Sequence, residues 1–80
     1  MNVKDLKLGA KMTLEGNREF RIIDIRKENN KDYIVCCTNN KPISSIIFEY
    51  KVEEEKIKVK EEKDNKILKI IYKKIIKENL

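Results

Sequence analysis

The chain has 80 residues, 40% hydrophobic and 41% charged, with a formal net charge of +5 at pH 7 and no histidine. That length holds one small core and excludes a cofactor domain beside a substrate domain, while the apolar share argues against wholesale disorder. No apolar run approaches the ~20 residues that a membrane-spanning helix needs, and Met1 to Ala10 lacks the apolar core of a secretory signal, so a cytoplasmic location is expected.

Val3, Leu6 and Leu8, ahead of Gly9, predict a short turn or extended arm that packs on the core. Lys11 to Glu15 alternates and predicts a first strand, followed by Gly16-Asn17, both of which tolerate positive φ. Glu19 to Lys27, rich in Ile, predicts a second strand, Glu28 to Lys31 a turn, and Asp32 to Thr38 a third strand. Asn39 to Pro42 reads as a loop, since Pro42 cannot donate to a ladder. In Ser44 to Glu53, Ile46, Phe48, Tyr50 and Val52 share one face, and Glu49 and Lys51 share the other. Glu53-Glu54-Glu55 is a charged hairpin tip. Ile57 and Val59, between Lys56, Lys58 and Lys60, form the last strand, whose lysines discourage edge-to-edge pairing. Glu61 to Asn65 is a polar linker offering Asp64 or Asn65 as a helix N-cap.

From there the period changes from two to 3.6. At about 100° per residue, Ile67, Leu68, Ile71, Tyr72, Ile75 and Ile76 fill one arc, and Lys66, Lys69, Lys73 and Lys77 line the opposite one. The expected fold is α+β, mainly β: one domain over 1–80, with a bent antiparallel meander of about five strands over 11–60 and an amphipathic C-terminal helix over 65–79 packed on it.

The expected face under the helix holds Phe20, Ile22, Tyr33, Val35, Cys37, Ile46, Phe48, Tyr50, Val52, Ile57 and Val59. Ile23, Ile25, Ile34, Cys36 and Ile47 point the other way, and the Ile22-Ile23 doublet is a place for a phase-changing bulge. Two arrangements account for that second face. Either the sheet curls, with Met12, Leu14 and the N-terminal arm covering it, or it forms a homodimer interface; the curled sheet is preferred.

The sequence offers little for catalysis. Without histidine the commonest acid–base group is missing, and the adjacent Cys36 and Cys37 have neither a base nor further ligands for a metal. Ser44-Ser45 has no recognisable base, Gly9 and Gly16 are too far apart for a phosphate-cradling loop, and Asp24, Glu49 and Glu53 are expected to offset nearby lysines. No enzyme activity, catalytic residue, metal or cofactor is therefore expected.

What remains is surface. Lys66, Lys69, Lys73, Lys74 and Lys77, with Ile70 projecting among them, form the expected partner-binding face. Lysine outnumbers arginine sixteen to three, and arginine is the preferred bidentate reader of phosphates and guanine edges. A protein partner is therefore expected ahead of a nucleic acid, in a small non-catalytic interaction or regulatory module such as an inhibitor encoded by a phage or mobile element. The alternative is a nucleic-acid-binding small β-barrel that uses the lysine-rich face with Arg18, Arg21 and Arg26.

Glu19-Phe20-Arg21-Ile22-Ile23-Asp24, a polar turn and Lys31-Asp32-Tyr33-Ile34-Val35 precede a further apolar strand, an acidic hairpin and a closing helix. From about Leu14 to Asn79 this order resembles the YrzB-like uncharacterised small proteins of Firmicutes. The resemblance implies a cytosolic domain of unknown function and carries over no catalytic residue. Those relatives are strongly acidic, whereas this helix is faced with lysine. Leu6-Lys7-Leu8-Gly9 before an alternating strand also resembles small SH3-like barrels, which implies a partial barrel.

Overall fold

Five strands follow one another through space in chain order. β1 (Lys11–Leu14), β2 (Arg18–Glu28), β3 (Lys31–Thr38), β4 (Ser45–Glu53) and β5 (Lys56–Glu61) make one antiparallel sheet, and α1 (Asn65–Glu78) closes the chain. The structure, a computed structural model, describes residues 2–14, 16, 18–38 and 44–79. Glu15 of the expected first strand, Asn17 of the first turn and the loop at Asn39 to Pro42 lie outside the described residues.

The sheet curls into a half-barrel, as expected, because both of its faces carry apolar side chains. Met12, Phe20, Ile22, Ile34, Cys36 and Phe48 form the concave core, with Leu6, Ala10, Leu14, Ile25, Ile46, Tyr50 and Val59 packed around it. Phe20 and Phe48 meet edge to face at 5.6 Å between ring centroids, an arrangement that the ring quadrupoles favour. On the convex face Tyr33, Val35 and Ile47 pack beneath Ile71 of the helix, flanked by Ile67, Leu68, Tyr72 and Ile75. The N-terminal arm, which includes a 3₁₀ turn at Val3–Asp5, supplies Leu6 and Ala10 to the concave core.

This arrangement corrects the expected face beneath the helix. Tyr33 and Val35 do lie there, but Phe20, Ile22, Phe48, Tyr50 and Val59 turn inward with Ile34 and Cys36. The cause is register. The two-residue turn at Asn29-Asn30 pairs Glu28 with Lys31, and counting back along the ladder sets Ile25 opposite Ile34. Ile34 in turn faces Phe48, and Cys36 faces Ile46. Paired residues share a face, so the phase of β3 is fixed by its neighbours. β3 is buried on both sides from Tyr33 to Cys36, so its own sequence has no alternation from which a phase could be read.

The expected bulge is present. The ladder runs Ile22 to Cys36 and then Asp24 to Val35, leaving Ile23 as the extra residue. Ile22 and Ile25 thus both reach the concave core, while Ile23 is left exposed. Of the residues expected on a dimer-forming face, Ile34, Cys36 and Ile47 are buried within the chain.

Two hairpins turn through paired left-handed residues. At Asn29 and Asn30, φ is 51° and 63°, a conformation that asparagine adopts readily; at Glu54 and Glu55, φ is 50° and 67°. Two-residue hairpin turns of this kind favour Asn-Gly, and a left-handed residue with a Cβ costs roughly 1–2 kcal/mol. Replacing Glu54 by Asn and Glu55 by Gly should therefore stabilise the fold by about 1–2 kcal/mol. For a domain of this size that raises Tm by roughly 4–8 °C per kcal/mol, measurable by thermal melting. Glu54→Gln with Glu55→Gln serves as a control that removes charge without relieving the backbone.

Ile71 has no exposed surface and is the only fully buried side chain of the helix. Ile71→Ala should cost about 2–5 kcal/mol through lost burial and the cavity left behind. Chemical denaturation would register this as a lower midpoint, whereas Ile76→Ala, on the exposed side, should leave the midpoint nearly unchanged.

Candidate functional site

Helix α1 starts where a side chain can satisfy its first free N–H groups. Asp64, rather than Asn65, is the N-cap, its carboxylate accepting from Lys66 N at 2.9 Å. At the other end Asn79 N–H bonds to the carbonyls of Ile75 and Ile76, and Asn79 Nδ2 donates to Ile75 O at 2.7 Å.

Side-chain ties on both flanks hold the helix on the sheet. Tyr72 Oη and Ser45 Oγ are 2.7 Å apart. Lys74 Nζ lies 2.6 Å from Glu28. Arg26 is clasped between Asp24 at 2.6 Å and Glu78 at 2.8 Å, with only 13% of its side chain exposed. The Glu78 hydrogen bond, with Asp24 beyond it, holds the Arg26 guanidinium even more firmly protonated than usual. Tyr33, beneath the helix, donates to Glu62 at 3.4 Å; burial first, and the carboxylates of Glu62 and Glu49 next, push its phenol above the ordinary tyrosine range.

With the inner arc and flanks occupied, the outer arc stands free. Around the helix, Lys69, Lys73, Lys66 and Lys77 follow one another at about 100° per residue, with Ile76 on one border and Ile70 on the other. All four lysines are exposed, and among the described residues none pairs with a carboxylate. Ile70 is 40% exposed, as its projection among the lysines suggested. Ile76 corrects an expectation. Placed with the core-facing residues by sequence, it is 63% exposed, because the arc centres on Ile71 and Ile76 lies about 140° around from it. Lys74, expected with the free lysines, serves instead as a strut to Glu28.

The arginines do not converge. Arg18 lies over the Phe20 ring, 5.6 Å from its centroid, at the mouth of the half-barrel. Arg21 Nη1 donates to Gly9 O at 2.8 Å, and Arg26 is enclosed by its two carboxylates. Asp24, Glu49 and Glu53 do offset nearby cations: Arg26, Lys31 at 3.7 Å and Lys58 at 2.7 Å, respectively. The Lys58 hydrogen bond and charge hold the Glu53 carboxyl below its ordinary range.

Two features escaped the sequence. One is the Arg26–Glu78 clasp, which joins residues far apart in the chain and has no local signature. The other is an open cleft of ≈ 370 Å³ at the half-barrel mouth, lined by Leu14, Arg18, Phe48, Val59 and Glu61. Among the described residues no three Cys, Asp or Glu side chains come together as a metal ion would need. No described helix is long and apolar enough to cross a membrane. Compared with known proteins, the chain matches no family model, no curated protein and no solved structure.

Cys36 and Cys37 are both free thiols. Cys36 is fully buried, and burial, with a smaller contribution from Cys37, pushes its thiol up to about 12. Since the thiolate is the reactive form, Cys36 should stay silent at pH 8 towards a thiol-specific chromogenic reagent. One thiol per chain, Cys37, should react in the native protein and both after denaturation. A Cys37→Ser variant that still reacts rapidly when native would show that the interior is open.

Proposed function

We propose that this chain is a small non-catalytic protein-interaction module whose contact face is the outer side of α1. The observation that carries the reading is the cationic arc of Lys66, Lys69, Lys73 and Lys77, unpaired among the described residues and bordered by Ile70 and Ile76, on a helix whose opposite side packs on the sheet. Among the described residues, four lysines outside this arc meet carboxylates, Lys11 with Glu19, Lys31 with Glu49, Lys58 with Glu53 and Lys74 with Glu28, and the remaining unpaired ones are scattered over the N-terminal arm, β2, β4, β5 and the linker. Apolar borders around a charged centre suit a protein surface, where apolar anchors supply affinity and charge supplies orientation and encounter rate.

The same arc suits other partners less well. A helix lying in a lipid interface places apolar residues at the centre of its exposed arc and lysines at the borders, the reverse of this order. Nucleic-acid binding would draw on arginines and stacking rings. Here Arg26 is neutralised, and Phe20, Tyr33 and Phe48 are buried. On this reading the module acts by occupying its partner, in a regulatory or inhibitory role.

Affinity capture from the producing cell, with and without nuclease, tests the reading. A stoichiometric protein partner that survives nuclease treatment is expected, and Ile70→Glu or Lys69→Glu with Lys73→Glu should weaken it at least tenfold while Tm stays within about 4 °C, as for surface substitutions. Capture that nuclease abolishes would transfer the face to nucleic acid. Capture indifferent to both variants would remove the helix from the interface.

A further inference from the structure

The sheet is a half-barrel because β1 and β5 do not pair among the described residues, and the edge of β5 is where the described ladder stops. The two-residue turn makes Glu53 and Lys56 the closing pair of the β4–β5 hairpin. Alternation from there directs the N–H and C=O groups of Ile57, Val59 and Glu61 outward, away from β4. Glu62 N–H bonding to Ile47 O fixes the same parity at the far end. One further outward group on this side, Glu55 O, is already taken: it accepts from Val3 N at 2.8 Å, and Asn2 bridges Lys56 in the antiparallel sense. The chain's own N-terminal arm thus shows that this edge accepts an extended segment. Past Lys56, the outward groups of β5 have no partner among the described residues.

The two faces of this edge differ in chemistry. Val59, half-buried, lines the concave side together with Leu14 and Phe48 at the open cleft, where Arg18 and Glu61 complete the lining. The convex side carries Lys56, Lys58 and Lys60, all exposed, with Lys58 bonded to Glu53 of β4 at 2.7 Å. An antiparallel strand added here would set one of its side chains over the cleft opposite Val59, and its neighbours beside Lys58 and Lys60.

A second copy of this chain does not fit that description. Pairing two β5 edges about Val59 would set Lys58 directly opposite Lys60 of the other copy, and like charges facing each other across a ladder oppose pairing. Carboxylates at those positions would complete it.

We propose that the outer edge of β5 is a strand-addition site for an extended acidic segment of another protein, in which apolar side chains alternate with Asp or Glu. The apolar residues enter the cleft beside Val59, one carboxylate meets Lys60 and another shares Lys58 with Glu53, and the main chain bonds to Ile57, Val59 and Glu61. This site is distinct from the helix face and does not rest on it.

The test is titration of the isotope-labelled full chain with the capped peptide Thr-Glu-Val-Glu-Val-Glu-Thr, followed by NMR. The expected result is that the amide signals of Ile57, Val59 and Glu61 shift and exchange more slowly with solvent. N-methylation of the two peptide valines, whose amides face the edge in antiparallel pairing, should abolish binding. Lys58→Glu with Lys60→Glu should weaken it about tenfold, and a peptide with Lys in place of Glu should restore it in that variant. Ile70→Glu, on the helix, should leave the affinity unchanged.

No saturable binding, equal binding of the N-methylated peptide, or equal binding of a Val-Val-Glu-Glu-Glu scramble would each overturn the proposal. So would shifts confined to α1, which would assign the acidic peptide to the helix face. None of these results bears on whether a protein partner is captured through Ile70.

Discussion

The constraint on which this structure depends is the burial of β3 from both sides. Tyr33, Ile34, Val35 and Cys36 are buried in succession, so neither face of the central strand can be left to water. One face needs a layer on top of it and the other needs the sheet to fold over on itself. The helix answers the first demand through Ile71, and curvature answers the second by bringing Met12 and Leu14 of β1 and Val59 of β5 around Ile34 and Cys36. A flat sheet of this length would expose one of these faces, and at roughly 25 cal/mol per Å² of apolar surface an 80-residue chain has little stability to spare. The bulge at Ile23 belongs to the same solution, since it bends β2 and keeps both Ile22 and Ile25 inside.

Much of this was legible in the residues. Strand limits followed from turn chemistry at Asn29-Asn30 and from the run of charge at Glu53-Glu54-Glu55, and the helix from the spacing of Ile67, Ile71 and Ile75. Both signals are local, and local signals survive folding when the tertiary structure agrees with them. The phase of β3 was not legible, because four consecutive buried residues carry no alternation and only pairing partners decide which way each one points. The exposure of Ile76 was hidden for a related reason: a wheel shows which residues share an arc, but the sheet chooses the arc's centre. Within the candidate surface, the free lysines could be read from the wheel. Lys74 and Arg26 could not be separated from their neighbours until Glu28 and Glu78 were seen beside them.

Charge in this molecule therefore has two roles. Some cations are structural, above all Arg26, whose largely covered guanidinium fastens the last turn of the helix to β2. Others, among them the outer arc of α1 and Lys60, have no carboxylate partner among the described residues. A formal charge of +5 understates this contrast, because the carboxylates are concentrated at the hairpin tip, the linker and the struts. What remains on the helix is a stripe of one sign.

The bridge between Asn2 and Lys56 has a consequence for the length of anything laid along β5. The chain's own arm fills the beginning of that edge, so the ladder left without a partner among the described residues lies between Ile57 and Glu61, where the linker turns towards the helix. Three residues with outward-facing amides offer on the order of six hydrogen bonds, each with a small net contribution in water. An edge that short measures its occupant and does not hold it tightly, and recognition there takes the form of brief, repeated visits rather than permanent assembly.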